Sequence, residues 1–414
     1  MNNIKTNSAI VLGTILQWYQ FSLYAVLSPI IAVSFFPKNQ PYIALISIWL
    51  TFGLAWLFSP LGGIIFGYIG DKYGRKSALM GSMLVMIIST LTISFLPEYK
   101  TIGAFSPIIL ALSLALQGLS ASAEYNAASV YLVENAKPRF KALFGCLPNI
   151  SNSAGMMLGA SIGSFFTASY MPPEAWRVPF FVSGITAILC YYLRSNMKNY
   201  TFIKHKSDSF RGKLNIFSLP SLQALILAAY NGITSWGVYV WGTSLMVSHG
   251  LSISKSSLVI SVGLLLDIII EPVAGLVASK VGNTKLFLLW SAPFALCMPS
   301  LFSGLASGSF TTSLISMIAI TFLLSPPTAM INSIVIMGLT EKNRALNLGV
   351  SWNIGMTIFG GTAPLVCTLL LHQFHSPAIV GTYLSLAIIF GIIIVWYLSH
   401  KKQTINKFKK LNSA

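Results

Sequence analysis

Three carboxylates stand where carboxylates are costly. Glu124 lies midway along the run QGLSASAEYNAASVY, and Asp267 and Glu271 lie four residues apart in SVGLLLDIIIEPVAG. The chain has nine acidic residues in all, and the others fall in polar turns or at the ends of apolar runs. An ionisable group at mid-membrane depth costs about 2.5–3.5 kcal/mol on insertion scales, so it must face a cavity or a partner. The sequence places no Lys or Arg at the depth of these three acids. They are therefore expected to hold a proton, face water, or meet the cationic part of a solute. Burial favours the neutral acid, which makes such a group a natural proton carrier. Asp267 and Glu271 share one helix face, where two like charges favour retention of at least one proton. The competing reading for each acid is a carboxyl hydrogen-bonded between helices, at an inner gate for the Asp267–Glu271 pair.

Uncharged polar residues inside apolar runs form a second set. Gln17, Gln20, Asn149, Asn152 and Asn353 could bind a solute, or equally a neighbouring helix. Trp18 and Tyr24 in the first run, with Tyr230 and Trp236 in the seventh, could present aromatic faces to a quaternary ammonium group. An interfacial belt is the alternative use of such rings, and Trp241 and Trp290 are assigned to it.

These residues need elements to hold them. Hydrophobic residues make up 55% of the chain and charged residues 8%, too apolar for a soluble surface. Apolar runs recur at about 20 residues, the length of a helix crossing a hydrocarbon layer. Twelve are expected, at about 8–34, 43–69, 77–96, 103–133, 142–168, 177–196, 219–248, 254–279, 285–305, 310–339, 346–372 and 377–399. In lipid the backbone must satisfy itself, so the fold class is all-α integral membrane. With both termini inside, the Lys and Arg residues fall on the inner side, except Lys38, Lys100, Arg177 and Lys255. That bias sets a cytoplasmic location for both termini. The net charge of +17 is thus a topology signal, and no basic module is long enough to bind nucleic acid.

The expected organisation is a six-helix bundle over 1–196, a cytoplasmic linker over 197–218, a second bundle over 219–400 and a basic tail over 401–414. Gly67, Asp71 and Gly74 recur 208 residues later as Gly275, Ser279 and Gly282. Duplicated halves enclosing a site between them are a transporter architecture. The turn GYIGDKYGRK, residues 67–76, concentrates charge in an apolar chain. Arg75 and Lys76 stand at a helix start, the wrong end for the macrodipole. With Asp71 they are expected to pair with a neighbouring helix end and lock the inner face. Glu134 and Arg139 on one inner loop, and Glu341 and Arg344 on another, are the candidate partners. Gly67 and Gly70 are expected to allow close helix approach.

Cys146, Cys190, Cys297 and Cys367 are isolated within spans, without the spacing of a metal site or disulfide framework. His372 and His375 have no carboxylate or cysteine near them in sequence. No metal and no cofactor are expected, and no nucleotide loop or nucleophile constellation points to an enzyme.

GYIGDKYGRK resembles the G-x-x-x-D-x-x-G-R-K/R signature of the major facilitator superfamily. QWYQFSLYAVLSPIIAVSFFP, LQGLSASAEYNAASVYLVENA, AWRVPFFVSG and NIGMTIFGGTAP resemble its metabolite:proton symporter branch, which includes proline/betaine, citrate, α-ketoglutarate and shikimate permeases. The resemblance implies two pseudo-symmetric six-helix bundles, alternating access and a shared cavity lined by the first and seventh helices. Glu124 matches the acid of the branch's G-G-E element. Departures are specific: Gln17 and Gln20 replace two acids of E-W-Y-D, and Leu114 replaces a base on the fourth helix. Ser279, Asn283 and Thr284 replace the charges of the second signature. The expected function is proton-coupled uptake of a small polar metabolite, a zwitterion such as proline or betaine, by a monomer in the bacterial inner membrane. A polycarboxylate or siderophore carrier, an efflux pump, and a non-transporting sensor on the same scaffold are the alternatives.

Overall fold

The computed structural model describes residues 2–36, 41–166, 171–172, 174–195, 217–339 and 344–411, and among these there is no strand. Among the described residues six long helices precede the linker: α1 (Asn2–Phe35), α2 (Pro41–Lys72), α3 (Arg75–Phe95), α4 (Phe105–Asn135), α5 (Lys141–Phe166) and α6 (Arg177–Ser195). Six follow it. The seventh, α7 (Leu219–Ser235), continues through a π-turn at Trp236–Val240 into Gly242–Ser248. Then come α8 (Ile253–Val281), α9 (Asn283–Leu305) and α10 (Phe310–Gly338). The eleventh, α11 (Arg344–Gly355), passes through a π-turn at Met356–Gly360 into Ala363–Phe374, and α12 is Pro377–Leu411. The expected linker lies almost wholly in 196–216, outside the described residues.

Eight helices among the described residues are long and apolar enough to cross a membrane. Leu296, Phe390, Leu365 and Trp396 stand more than half exposed. Large apolar side chains in that position suit lipid contact rather than water.

The chain divides into two compact units. The first holds Met1–Glu134, Leu147–Leu214 and Thr340–Asn353; the second holds Asn135–Cys146, Asn215–Leu339 and Ile354–Ala414. Each unit therefore incorporates the opening turns of a helix from the other half of the chain: α11 in the first, α5 in the second.

The repeat is visible in backbone geometry. Gly74 precedes α3 at φ 96° and ψ 155°, and Gly282 precedes α9 at φ 101° and ψ 136°. Such positive φ values favour glycine, so both signatures keep their glycine although the second has lost its charges.

At the other end of α3, Arg177 acts as a clamp in the first unit. Its Nη1 donates to the carbonyls of Ser94 (3.1 Å) and Leu96 (2.7 Å). The guanidinium lies 4.7 Å from the Trp176 ring centroid and 5.6 Å from that of Phe35. It thus satisfies terminal carbonyls of α3 while stacking against the end of α1. Arg177→Ala should destabilise the protein by about 1.5–3 kcal/mol, the range for hydrogen bonds to a charged group. Thermal unfolding in detergent would measure it. Lysine should recover only part of the loss, because it lacks the planar fork.

Candidate functional site

In the first unit, the charged turn is drawn into one network. Asp71, at the end of α2, accepts from Arg75 Nη1 at 2.5 Å. Its carboxylate also accepts from the backbone N–H groups of Ala345 (3.2 Å) and Leu346 (2.8 Å). Those are among the first N–H groups of α11, which lack partners within their own helix, and an anion there also meets the positive end of the macrodipole. Arg75 reaches Glu134 of α4 through Nε and Nη2, each at 3.3 Å, and Arg344 reaches the same carboxylate at 2.9 Å. Two acids and two arginines thus tie α2, α3, α4 and α11 together. Lys76 donates instead to the Ser195 carbonyl at the end of α6. Arg139 is exposed, its guanidinium over the Phe140 ring, and takes no place in these ion pairs. Glu341 lies outside the described residues.

Glycine brings α2 and α11 close enough for this. A Cβ on Gly63 would collide with the Gly349 carbonyl, and one on Gly67 would stand 2.8 Å from Leu346 Cα. Gly70 is different from expectation: a methyl there would meet its nearest neighbour, Ala78 Cβ, at an ordinary 3.4 Å. The close approach belongs to Gly63 and Gly67, one helical turn apart, facing Ala345 and Gly349. Beside it a small cavity, with room for about one water, is lined by Gly63, Gly67, Arg75, Asn126 and Gly349 among others.

The structure corrects the expectation that no base reaches Glu124. Arg194 of α6 pairs with it through both terminal nitrogens, Nη1–Oε2 at 2.7 Å and Nη2–Oε1 at 2.5 Å. Both side chains are buried. Nη2 also donates to the Ile10 carbonyl, and Ser82 donates to Glu124. The guanidinium occupies the space a side chain at Gly13 would need. Placement by span ends missed this pair because an arginine stem carries its charge well away from its own Cα. The available signals were the arginine itself in ILCYYLRS and the glycine facing it.

Above this pair a chain of amides and hydroxyls runs between α1, α3, α4 and α6. Ser120 donates to Gln17 Oε1 (3.1 Å), Thr90 to Gln20 Oε1 (2.6 Å), and Gln20 Nε2 to Ser183 (2.9 Å). Gln20 is fully buried and bound to three other helices, the third through Gln117 of α4, which donates to its Oε1 at 3.5 Å. Its bonds are therefore between helices, the second of the two uses the sequence allowed.

Asn353, Tyr125 and Asn149 form another cluster. Ser59 donates to Asn353 Oδ1 at 2.8 Å, Tyr125 donates to Asn149 Oδ1, and the Tyr125 ring stacks on Trp352 with centroids 5.7 Å apart. Trp352 was not singled out by sequence. Asn152 is half-buried. Trp18 packs on Phe21 and Trp56, and Tyr24 shares a hydrogen bond with Thr51.

The second unit holds the other two acids. Asp267 accepts from Ser325 at 2.5 Å and Glu271 from Thr328 at 3.1 Å, both hydroxyls on α10. Tyr239, in the π-turn of α7, shares a hydrogen bond with Thr321, one turn before Ser325 on α10. Tyr230 is wholly buried against Phe287, while Trp236 is half-buried. Trp241 is also buried and donates to Thr368 of α11, so it does not belong to an interfacial belt. Trp290 donates to the Phe322 carbonyl. Among the described residues no group of His, Cys, Asp and Glu has the make-up of a metal site.

Comparison with known proteins agrees with this architecture. Residues 10–351 match the family model of the Major Facilitator Superfamily. The chain is 28% identical over 408 residues to a putative proline/betaine transporter of Staphylococcus aureus strain MSSA476, covering 95% of this chain and 88% of that protein. It is 26% identical over 414 residues to the proline/betaine transporter of Escherichia coli K12, covering 94% and 82%. Its fold is similar to that of the proton:xylose symporter XylE, with a TM-score of 0.79 at 13% identity over 96% of each chain. The fucose:proton symporter FucP in its outward conformation gives 0.70 at 14% identity over 94% of this chain and 97% of that one. The chain belongs to the Major Facilitator Superfamily and is a multi-pass membrane transporter.

Proposed function

We propose that this protein takes up a small zwitterionic solute of the proline or betaine type by alternating access, driven by protons, across a bacterial inner membrane with both termini in the cytoplasm. The observation that carries this reading is similarity over 94–95% of the chain to relatives named for proline and betaine. The geometry supports it. Arg75 and Arg194, both buried, are already bound to carboxylates, which disfavours a di- or tricarboxylate needing an arginine of its own. The Asp71–Arg75–Glu134–Arg344 network holds the cytoplasmic ends of α2, α3, α4 and α11 together in one of the two states. Trp18, Tyr24 and Trp236, with the half-buried amide Asn152, are the residues assigned to the solute. Asp267 and Glu271 are assigned to the proton.

The purified protein in proteoliposomes should accumulate labelled proline or glycine betaine when the lumen is alkaline, and a protonophore should abolish the accumulation. Gradient-driven accumulation of a tricarboxylate, with no response to either zwitterion, would replace this reading with the polycarboxylate one.

A further inference from the structure

The second unit carries its bases differently from the first. Its only acids are Asp267 and Glu271, and both are buried. Its surface therefore offers bases without carboxylates. Lys280 and Lys285 flank the turn from α8 into α9, and Lys401 lies where α12 passes beyond its apolar run; all three are exposed. In the first unit the equivalent turn uses its charges internally. Asp71 and Arg75 pair, and Lys76 donates to the Ser195 carbonyl. The Lys72 ammonium stands 5.3 Å from the Tyr68 ring centroid and 5.1 Å from that of Tyr73. The 208-residue offset places Lys280 on Lys72, Ser279 on Asp71, and Leu276 and Val281 on the two tyrosines. Lys280 thus has aliphatic neighbours, both exposed, where its counterpart has phenol rings and an acid.

The packing of α12 on α9 sets the depth of these lysines. The two helices run antiparallel: Ser385 donates to the Ala295 carbonyl, and a Cβ on Gly381 would collide with the carbonyl of Met298. The same register brings Trp396 and Tyr397 level with the first turn of α9, which carries Lys285. Both rings are exposed, and Trp396 stacks on His400 with centroids 5.7 Å apart. An exposed indole and phenol near the end of a membrane helix suit the headgroup level.

Below that level the surface is aliphatic. Leu289 and Leu296 follow Lys285 by four and eleven residues, so they share its face of α9. They are 67% and 82% exposed, and Ile393 and Phe390 are exposed on α12. Lysine heads above a continuous apolar face complement both parts of a phospholipid, its anionic headgroup and its acyl chains. A soluble phosphate would match only the first part.

We propose that Lys280, Lys285 and Lys401 form a binding site for an anionic phospholipid. The ammonium groups hold the headgroup phosphate, the aliphatic face of α9 and α12 takes the acyl chains, and Trp396 and Tyr397 set the depth. The site is independent of which solute the protein carries.

Trp396 reports its occupancy. The protein would be placed in vesicles of equal parts phosphatidylglycerol and phosphatidylcholine, with bromine near the carbonyl end of the chains of one lipid or the other. Subtracting the fluorescence of each protein's Trp396→Phe counterpart isolates quenching at this ring. In the wild type, brominated phosphatidylglycerol should quench Trp396 at least about threefold more effectively than brominated phosphatidylcholine, through the attraction of lysines near the surface for anionic lipid. Combining Lys280→Gln, Lys285→Gln and Lys401→Gln should bring the ratio down to about one. Lys255→Gln, which removes an exposed charge at the opposite end of α8, should leave the ratio unchanged. Raising the salt to about 0.5 M should lower it in the wild type, with no substitution needed. Equal quenching by the two lipids in the wild type overturns the site. A preference that ignores salt overturns it as well. So does a preference that survives the triple substitution in a protein that circular dichroism and size-exclusion profiles show to be folded, which would leave these lysines as a topology signal.

Discussion

Arg194→Ala is expected to destabilise the protein by about 3–5 kcal/mol, the range for removing one partner of a buried ion pair. The reason is what remains. Glu124 keeps Ser82 as a hydroxyl donor, but its two guanidinium bonds, at 2.7 and 2.5 Å, are lost in a site with almost no access to water. The Ile10 carbonyl loses its donor as well. Glu124→Gln should cost less, because the amide keeps one acceptor for Arg194 while the arginine remains charged and incompletely matched. The double change Glu124→Gln with Arg194→Met should recover much of the loss, since no uncompensated charge is then left. Unfolding of the wild type, Glu124→Gln, Arg194→Met and the double variant in one detergent, followed by tryptophan fluorescence, closes the cycle. Additive losses in the double variant would mean that the pair is not the unit described here. A carboxylate held by two guanidinium bonds is a poor ligand for a passing solute.

The helices were legible in the sequence because lipid leaves a chain few choices. Apolar runs of membrane length must be helical, and the distribution of Lys and Arg orders them. The charged turn was legible for a related reason: charge is so scarce in this chain that its position carries information. Asp71, Arg75, Glu134 and Arg344 were expected near one another, and they form one network. What could not be read was depth and rotation. Arg194 sits at the end of its run, and only the path of its side chain through the space left by Gly13 shows that it reaches Glu124. Gln20 and Tyr230 have the residue types of a binding site but face other helices of their own units. Trp241 has the composition of a belt residue, yet its indole is spent on Thr368. Gly63 and Gly70 look alike in LGGIIFGYIG, and one helical face separates a glycine that is required from one that is not.

That difference yields the second large effect. Gly63→Ala would drive a methyl into the Gly349 carbonyl, and backbone on both sides leaves nothing flexible to yield. Gly70→Ala would place its methyl beside Ala78, Arg75 and Ala345 at 3.4 to 3.7 Å, which is ordinary packing next to a small cavity. Separating α2 from α11 also lengthens both bonds from Asp71 to the Ala345 and Leu346 N–H groups. Gly63→Ala and Asp71→Asn should therefore act alike, each weakening the closed arrangement by about 1.5–3 kcal/mol, or about 10- to 100-fold in population. With Leu346→Cys as a reporter, buried in the wild-type arrangement, both variants should raise the rate of maleimide labelling by that factor and slow solute uptake. Gly70→Ala should leave both rates within about twofold of the parent, because it removes no contact. Should Gly70→Ala match Gly63→Ala, the seam would owe its effect to helix propensity or to the cavity rather than to backbone approach. Should Asp71→Asn alone be silent, the network would be a topology signal that happens to pair, and the inner closure would rest on the glycines.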